Sequence, residues 1–249
     1  MRDRLCAAVI FFTRLPLWRV VTPPHEAYRR VVDLWPLAGW VTGGVTAAVL
    51  YAASLVFPAP AAVAVALAAR AILTGGLHED GLADWWDAMG GGHDRDRILA
   101  IMKDSHIGTY GVMSLVFYYL LAVTMLSGFA APAACAVVFA ADAWSKCCAS
   151  QIINRLPYSR TEQTAKNRTV YDRMPAGARI LNLLLGILPC LLLPWGLLPA
   201  LLAPVAVTWL AIRTMRRAIG GYTGDCCGAT ALMCELGFYA AALICQKII

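Results

Sequence analysis

Charged residues are scarce in this 249-residue chain, at 14% of the total against 60% for apolar residues. The mean hydropathy is positive. Soluble domains usually carry about 25% charged residues, so the composition excludes the ordinary soluble class. It predicts an all-α polytopic membrane protein with about six to seven transmembrane helices.

Cysteine pairs at metal-binding spacing are also missing. The nine cysteines include adjacent pairs at 147–148 and 226–227, but the chain has no Cys-x-x-Cys. This absence argues against a zinc site and against a disulfide framework. No internal repeat and no low-complexity linker is evident either, so we predict a single integral membrane domain over residues 1–249.

The apolar run at the N-terminus is short. It extends from Leu5 to Phe12, and Thr13-Arg14-Leu15-Pro16 follows where a signal peptide would carry small residues for cleavage. We therefore expect a retained helix that lies in the membrane interface.

Apolar segments alternate with charged connections along the chain. Segments long enough to cross a bilayer cover residues 34–57, 59–77, 108–128, 130–153, 180–198, 199–215 and 226–246. Four prolines between 189 and 204 leave a pair of kinked or short helices as the alternative for the fifth and sixth segments. Residues 1–33, 78–107, 154–179 and 213–225 hold 18 of the 21 Lys and Arg residues. The positive-inside rule places these four connections, and any active site on them, in the cytoplasm.

One acidic stretch stands out against this background. Four acids and a histidine lie within ten residues, from His78 to Asp87. If the segment is helical, Asp80, Asp84 and Asp87 share one face within about 60° of arc. Carboxylates so placed repel one another, and a hard divalent cation such as Mg²⁺ would relieve the repulsion. The alternative is a solvated acidic helix face.

Two further segments have the chemistry of phosphate contacts. Lys103, Asp104 and Ser105 precede a helix start, where unpaired backbone N–H groups attract phosphate. Gly221, Thr223 and Gly224 precede Asp225 at the start of the last apolar segment. Glycine there also suits helix packing, but an acid at the end of a span indicates function. Asp142 and Lys146, four residues apart, are predicted to form a buried ion pair.

Taken together, these motifs resemble one family, the cobalamin (cobamide) synthases, or adenosylcobinamide-GDP ribazoletransferases. The resemblance covers nearly the whole chain, and its most specific motifs are His-x-Asp-Gly-Leu-Ala-Asp-x-x-Asp and Gly-Gly-x-Thr-Gly-Asp. The matching stretches are Phe12 to Pro16, Pro36 to Gly39, Leu73 to Asp87, Met102 to Gly111 and Gly220 to Ala229.

The resemblance implies a multi-pass enzyme of the bacterial inner membrane. Such an enzyme joins adenosylcobinamide-GDP to α-ribazole or its 5′-phosphate, requires Mg²⁺ and releases GMP. On this interpretation Asp80, Asp84 and Asp225, with Asp87 as a further candidate, hold the metal. Either His78 or Asp87 is then the proton acceptor.

The resemblance also implies a set of substrate contacts. The candidate phosphate clamps are Lys103, Arg14 and Arg160. The other candidate contacts are Asp104, Ser105, Gly221, Thr223 and Gly224. Besides these small molecules and the lipid bilayer, we expect no nucleic-acid partner, and a homo-oligomer stays open.

Two other functions place acids in a membrane. A CDP-alcohol phosphotransferase carries Asp-Gly-x-x-Ala-Arg, whereas this chain has Asp80-Gly81-Leu82-Ala83-Asp84 and no arginine after the alanine. An ion-coupled transporter holds its acids near the middle of the bilayer, whereas the acids here are expected at the ends of spans.

Overall fold

A computed structural model describes residues 2–159 and 170–248 of the protein. The described residues form helices and no β-strand, apart from an isolated bridge between Tyr158 and Tyr222. The all-helical fold is thus confirmed. The α-helices are α1 (Arg2–Phe12), α2 (His25–Tyr28), α3 (Trp35–Ser54), α4 (Ala59–Thr74), α5 (Leu77–Gly91), α6 (Arg95–Ile101), α7 (Thr109–Leu126), α8 (Ala131–Ser150), α9 (Ile152–Arg155), α10 (Ala176–Ile187), α11 (Leu202–Ala218) and α12 (Gly224–Ile248). Four 3₁₀ stretches, Leu17–Arg19, Val31–Leu34, Leu188–Leu192 and Trp195–Leu201, complete the described elements.

Local sequence signals fix several helix starts. Pro36, Pro60 and Pro132 lie in the first turns of α3, α4 and α8, where a missing N–H costs nothing. The Asp94 carboxylate caps α6 by accepting a hydrogen bond of 2.8 Å from the backbone N–H of Arg97.

Within the described residues, four helices are long and apolar enough to cross a membrane: Val31–Ser54, Thr109–Leu126, Trp195–Ala218 and Gly224–Ile248. A fifth span arises if the bent pair Ala59–Thr74 and Leu77–Gly91 is counted as one. These numbers fall below the six to seven expected. Most side chains of α8 are buried inside the protein, and its crossing of the membrane stays a prediction.

The boundary between the fifth and sixth expected segments follows the alternative of short, proline-interrupted helices. Residues 180–198 do not form one helix, because α10 ends at Ile187 and two 3₁₀ stretches follow, containing Pro189 and Pro199. Proline removes a backbone donor and breaks the regular helix. α11 then begins only at Leu202.

A glycine elbow turns the chain sharply between α4 and α5. The two helices meet at 92°. Gly75 and Gly76 both take positive φ, at 67° and 70°, a conformation that glycine adopts without steric cost. The elbow directs the acidic helix α5 away from the axis of α4.

Small residues bring α3 and α8 into close contact. A Cβ atom on Gly39 would lie 2.9 Å from the Cα of Ala143, so only glycine fits there. The expected ion pair in α8 is confirmed: Lys146 contacts the carboxylate of Asp142, and both side chains are buried. Thr42 of α3 donates a 2.9 Å hydrogen bond to the same carboxylate.

A second buried polar cluster links the bundle to the acidic helix. Arg70 of α4 pairs with Glu235 of α12 at 2.7 Å, and Tyr118 of α7 donates a 2.7 Å hydrogen bond to Glu235. The guanidinium of Arg70 also lies 4.0 Å from Glu79, which accepts a 3.2 Å hydrogen bond from Tyr119. Buried charges persist only when paired, so this cluster fixes α4, α5, α7 and α12 relative to one another.

Candidate active site

Three carboxylates from two helices meet at the start of α5. Asp80, Asp84 and Asp225 each offer an oxygen, and these atoms all lie within 4.8 Å of one another. Asp84 is largely buried, with 9% exposure, whereas Asp80 is exposed. The site is therefore open to solvent on the side of Asp80.

Gly81 allows α5 and α12 to approach closely enough for this meeting. A Cβ atom on Gly81 would lie 2.9 Å from the backbone oxygen of Asp225, whereas one on Gly228 would make an ordinary contact of 3.4 Å with the Cα of His78. The glycine of the α5 motif thus serves the helix contact that positions the acids.

Two cavities open onto the acids. One, of about 130 Å³, is lined by His78, Asp80 and Asp225 together with aromatic side chains. The other, of about 400 Å³, is lined by Asp80, Arg14 and the glycine elbow. Phe11, Leu77 and Asp80 line both, so the two cavities adjoin at the start of α5.

His78 forms part of an aromatic stack. Its ring is nearly parallel to that of Trp35, with centroids 5.7 Å apart, and to that of Phe12, at 6.3 Å. The side chain is 4% exposed, and its Nε2 has no hydrogen-bond partner among the described residues. A buried ring nitrogen without a partner, in a cavity shared with two acids, is available to a substrate.

Arg14 lies over the glycine elbow. Its backbone N–H donates a 2.6 Å hydrogen bond to the carbonyl of Leu73, and any side chain at Gly75 would collide with its guanidinium group. The structure therefore brings the predicted clamp Arg14 to the same cavity as Asp80.

The family model for cobalamin-5-phosphate synthase matches residues 4–243. The chain belongs to this family. It is 37% identical to an adenosylcobinamide-GDP ribazoletransferase of Leptothrix cholodnii, over 93% of this chain and 91% of the relative. The enzyme of the same name from Shewanella amazonensis is 35% identical, over 95% of this chain and 93% of the relative. That from Ralstonia nicotianae is 37% identical, over 93% of this chain and 91% of the relative. No solved structure matches the chain.

Membership in this synthase family decides between the functions considered from the sequence. The match covers nearly all of the chain and favours neither a CDP-alcohol phosphotransferase nor a transporter. The chain is a multi-pass membrane enzyme of cobalamin biosynthesis.

The structure does not bring Asp87 to the three acids. Its two carboxylate oxygens accept hydrogen bonds of 2.7 and 2.8 Å from the backbone N–H groups of Gly108 and Gly111. Asp87 lies on the predicted face of α5, but seven residues correspond to about 10 Å along a helix axis. It is therefore displaced along α5 from Asp80, and it caps α7 instead.

The connection from α6 to α7 is exposed. Lys103, Asp104 and Ser105 are solvent-accessible and do not line either cavity at the acids. The connection is nevertheless anchored next to the site, because Gly108 binds Asp87. The backbone N–H of His106 donates to Asp104 and lowers the pKa of that carboxyl below its ordinary value.

The motif before α12 has mainly structural contacts. Thr223 is buried, and its hydroxyl accepts a 3.4 Å hydrogen bond from the N–H of Cys226 and lies 3.3 Å from Asp225. A side chain on Gly221 would collide with the carbonyl of Pro157, whereas Gly224 lines the cavity beside Asp225 with open space around it. Arg160 lies outside the described residues.

The aromatic walls of the smaller cavity were not predicted as functional. Phe11, Phe12, Trp35, Tyr158 and Tyr171 line it. Burial raises the pKa of the Tyr171 phenol well above its ordinary value. In the sequence, Phe12 and Trp35 lie beside motifs of the family, which is the one signal that could have indicated these walls. Tyr158 and Tyr171 belong to a connection whose sequence shows no motif.

Proposed function

We propose that the chain is an adenosylcobinamide-GDP ribazoletransferase, which joins that corrinoid to α-ribazole or its 5′-phosphate and releases GMP. The observation that carries this proposal is the convergence of Asp80, Asp84 and Asp225 in a chain whose family acts in cobalamin synthesis. Two helices that are distant in the sequence supply one cluster of acids, and a metal ion held there would bind a diphosphate substrate.

The donor set fits Mg²⁺. All three groups are carboxylates, the oxygen ligands that this hard cation prefers, and Asp80 leaves the site open toward solvent, where phosphate oxygens and waters complete the coordination. Asp80, Asp84 and Asp225 would hold the ion. When bound, it would neutralise charge on the diphosphate and on departing GMP.

The chain's own cations serve the phosphates. Arg14 borders the cavity of about 400 Å³ that Asp80 also lines, and its planar guanidinium suits bidentate contact with phosphate oxygens. Lys103 lines neither cavity at the acids, so its assignment as a second clamp rests on the sequence pattern alone. These contacts hold the diphosphate in line with the attacking hydroxyl, and positioning is the larger part of phosphoryl transfer.

His78 is the better proton acceptor of the two candidates. Both oxygens of Asp87 already accept backbone hydrogen bonds, whereas Nε2 of His78 has no partner among the described residues. A ribose hydroxyl oxygen attacks the corrinoid-side phosphorus, and its proton passes to Nε2. The bridging P–O bond breaks, and its electron pair leaves with GMP.

The aromatic cavity suits a planar ring. Phe12, Trp35 and His78 are already mutually parallel, and the remaining wall is also aromatic. We assign this cavity to the base of the ribazole, because flat rings stack well on aromatic faces. Its walls also exclude water that would otherwise hydrolyse the diphosphate.

The location of the reaction is part of the proposal. The Lys and Arg residues concentrate in connections at one end of the bundle, which supports a bacterial inner-membrane enzyme with its site facing the cytoplasm. A homo-oligomer stays open.

GMP release tests the proposed function. The purified protein, reconstituted in liposomes, is supplied with adenosylcobinamide-GDP, α-ribazole and Mg²⁺. We expect GMP to form in proportion to the ligated corrinoid and to require both organic substrates. GMP formation without α-ribazole would indicate a hydrolase, and the absence of GMP with either acceptor would refute the proposal.

A further inference from the structure

A groove larger than either cavity at the acids is lined by residues of α8. It has a volume of about 770 Å³ and lies between α8, α10 and α11. Its walls include Trp144, Leu183, Val205 and Trp209, and it shares no lining residue with either cavity at the acidic site. The groove is therefore separate from the proposed reaction.

Basic residues gather at one end of this groove. Arg155, Arg179, Arg213 and Arg216 line it, and no acid lines it among the residues that the structure describes. Arg155 follows α8, Arg179 lies in the first turn of α10, and Arg213 and Arg216 lie near the end of α11. All four therefore lie at the end of the bundle that carries the basic connections. None of the four pairs with a carboxylate within residues 2–159 and 170–248.

The apolar wall extends away from the arginines along the axis of α11. Val205 is 49% exposed and Trp209 is 56% exposed. Arg213 lies over the ring of Trp209, 5.3 Å from its centroid. The eleven residue steps from Val205 to Arg216 correspond to about 16 Å of helix, close to half of the roughly 30 Å hydrocarbon core of a bilayer. The groove thus has the depth of one leaflet.

We propose that this groove binds an anionic phospholipid from the leaflet at the basic end of the bundle. Its phosphate contacts the arginines, and an acyl chain lies against Val205, Leu183 and Trp209. Charge complementarity identifies the occupant, because four cations without an acid attract an anionic headgroup. The apolar wall requires an attached hydrocarbon chain, which a soluble anion does not have.

Native mass spectrometry of the intact protein tests the proposal. The protein is equilibrated with vesicles of equal phosphatidylglycerol and phosphatidylcholine and then extracted. We expect preferential retention of phosphatidylglycerol, and a loss of roughly tenfold or more in the double variant Arg213→Gln/Arg216→Gln, since each basic group near the surface contributes to lipid affinity. Equal retention of the two lipids by the wild type would overturn the proposal.

Arg217→Gln is the matched control. Arg217 is exposed on the same helix but does not line the groove, so its loss should leave lipid retention within about twofold. An equal loss in this control would show that the effect comes from general surface charge, and the specific site would be rejected.

Two further measurements keep the test decisive if the double variant fails to fold. Val205→Trp fills the apolar part without changing charge and should also reduce retention. Millimolar inorganic phosphate should not displace the lipid from the wild type. Unchanged retention in Val205→Trp, or full displacement by phosphate, would refute a phospholipid site.

Discussion

At the scale of single residues, the acids of α5 differ sharply in their surroundings. Asp80 and Asp84 have oxygens near those of Asp225, whereas Asp87 binds backbone N–H groups of the next helix. One sequence motif therefore contains two kinds of carboxylate, and substitutions should separate them.

We expect Asp80→Asn and Asp84→Asn each to reduce GMP release by about tenfold or more, because each removes a charged metal oxygen while keeping the side-chain shape. The fold should be retained, since repulsion among the acids falls. Asp96→Asn is the control, as that side chain is 90% exposed on α6 and pairs only with Arg95 among the described residues. A variant at 80 or 84 that keeps more than about a tenth of wild-type activity would not be a ligand.

Asp225→Ala should raise the Mg²⁺ concentration for half-maximal activity by roughly tenfold and weaken thermal protection by Mg²⁺. Asp225 shares the cluster with Asp84. Combining Asp225→Ala with Asp84→Ala should therefore cost less than the sum of the single losses. Titrations of activity with Mg²⁺ in the two single variants and the double variant provide the measurement. An unchanged Mg²⁺ requirement in Asp225→Ala would limit the metal site to α5.

At the scale of elements, Asp87 fixes the start of α7. Asp87→Ala leaves two backbone N–H groups without their carboxylate, and loss of such a buried partner costs about 1–3 kcal/mol. We expect a lower thermal midpoint with an unchanged Mg²⁺ dependence of the remaining activity. A shift in Mg²⁺ dependence comparable with that of Asp225→Ala would return Asp87 to the metal site.

The contact between α5 and α12 is a second feature that depends on the packing of whole helices. Gly→Ala within a helix usually adds about 1 kcal/mol of stability, but a Cβ atom at Gly81 would lie 2.9 Å from the backbone of Asp225. Gly81→Ala should therefore separate the acids and reduce GMP release by about tenfold. Gly177→Ala in α10 is the matched control, because its Cβ atom meets nothing within 4 Å and it does not line the described parts of either cavity at the acids. Equal activity of the two variants would contradict a packing role for Gly81.

Some of these contacts could be predicted from the sequence and others could not. The pairing of Asp80 with Asp84 follows from helical spacing, and that of Asp142 with Lys146 follows from the same rule and is confirmed. The capping role of Asp87 could not be predicted, because its partners lie 21 and 24 residues away. The Arg70–Glu235 pair joins residues 165 positions apart. Such contacts depend on how helices are arranged, which hydropathy does not specify.

At the scale of the whole molecule, charge and apolarity divide the protein into two ends. The acidic site and the arginines of the lipid groove both belong to connections rich in Lys and Arg. The connection after α3, around Phe57 and Ala59, carries no charge. On the proposed topology, the substrate site and the proposed lipid groove face the same side of the membrane.

This asymmetry predicts the topology of the chain, because Lys and Arg near span ends are retained in the cytoplasm. In intact cells, a membrane-impermeant thiol reagent should label Ala59→Cys from the periplasm but label Ser105→Cys only after the cells are opened. Both positions are exposed, and the wild type, whose nine cysteines are buried or half-buried in the structure, gives the background. Labelling of Ser105→Cys in intact cells would place the connection between α6 and α7 outside. The acidic site, tied to that connection through Asp87, would then face the periplasm. There it would be separated from the cytoplasm, and from a nucleotide-linked substrate made in the cytoplasm.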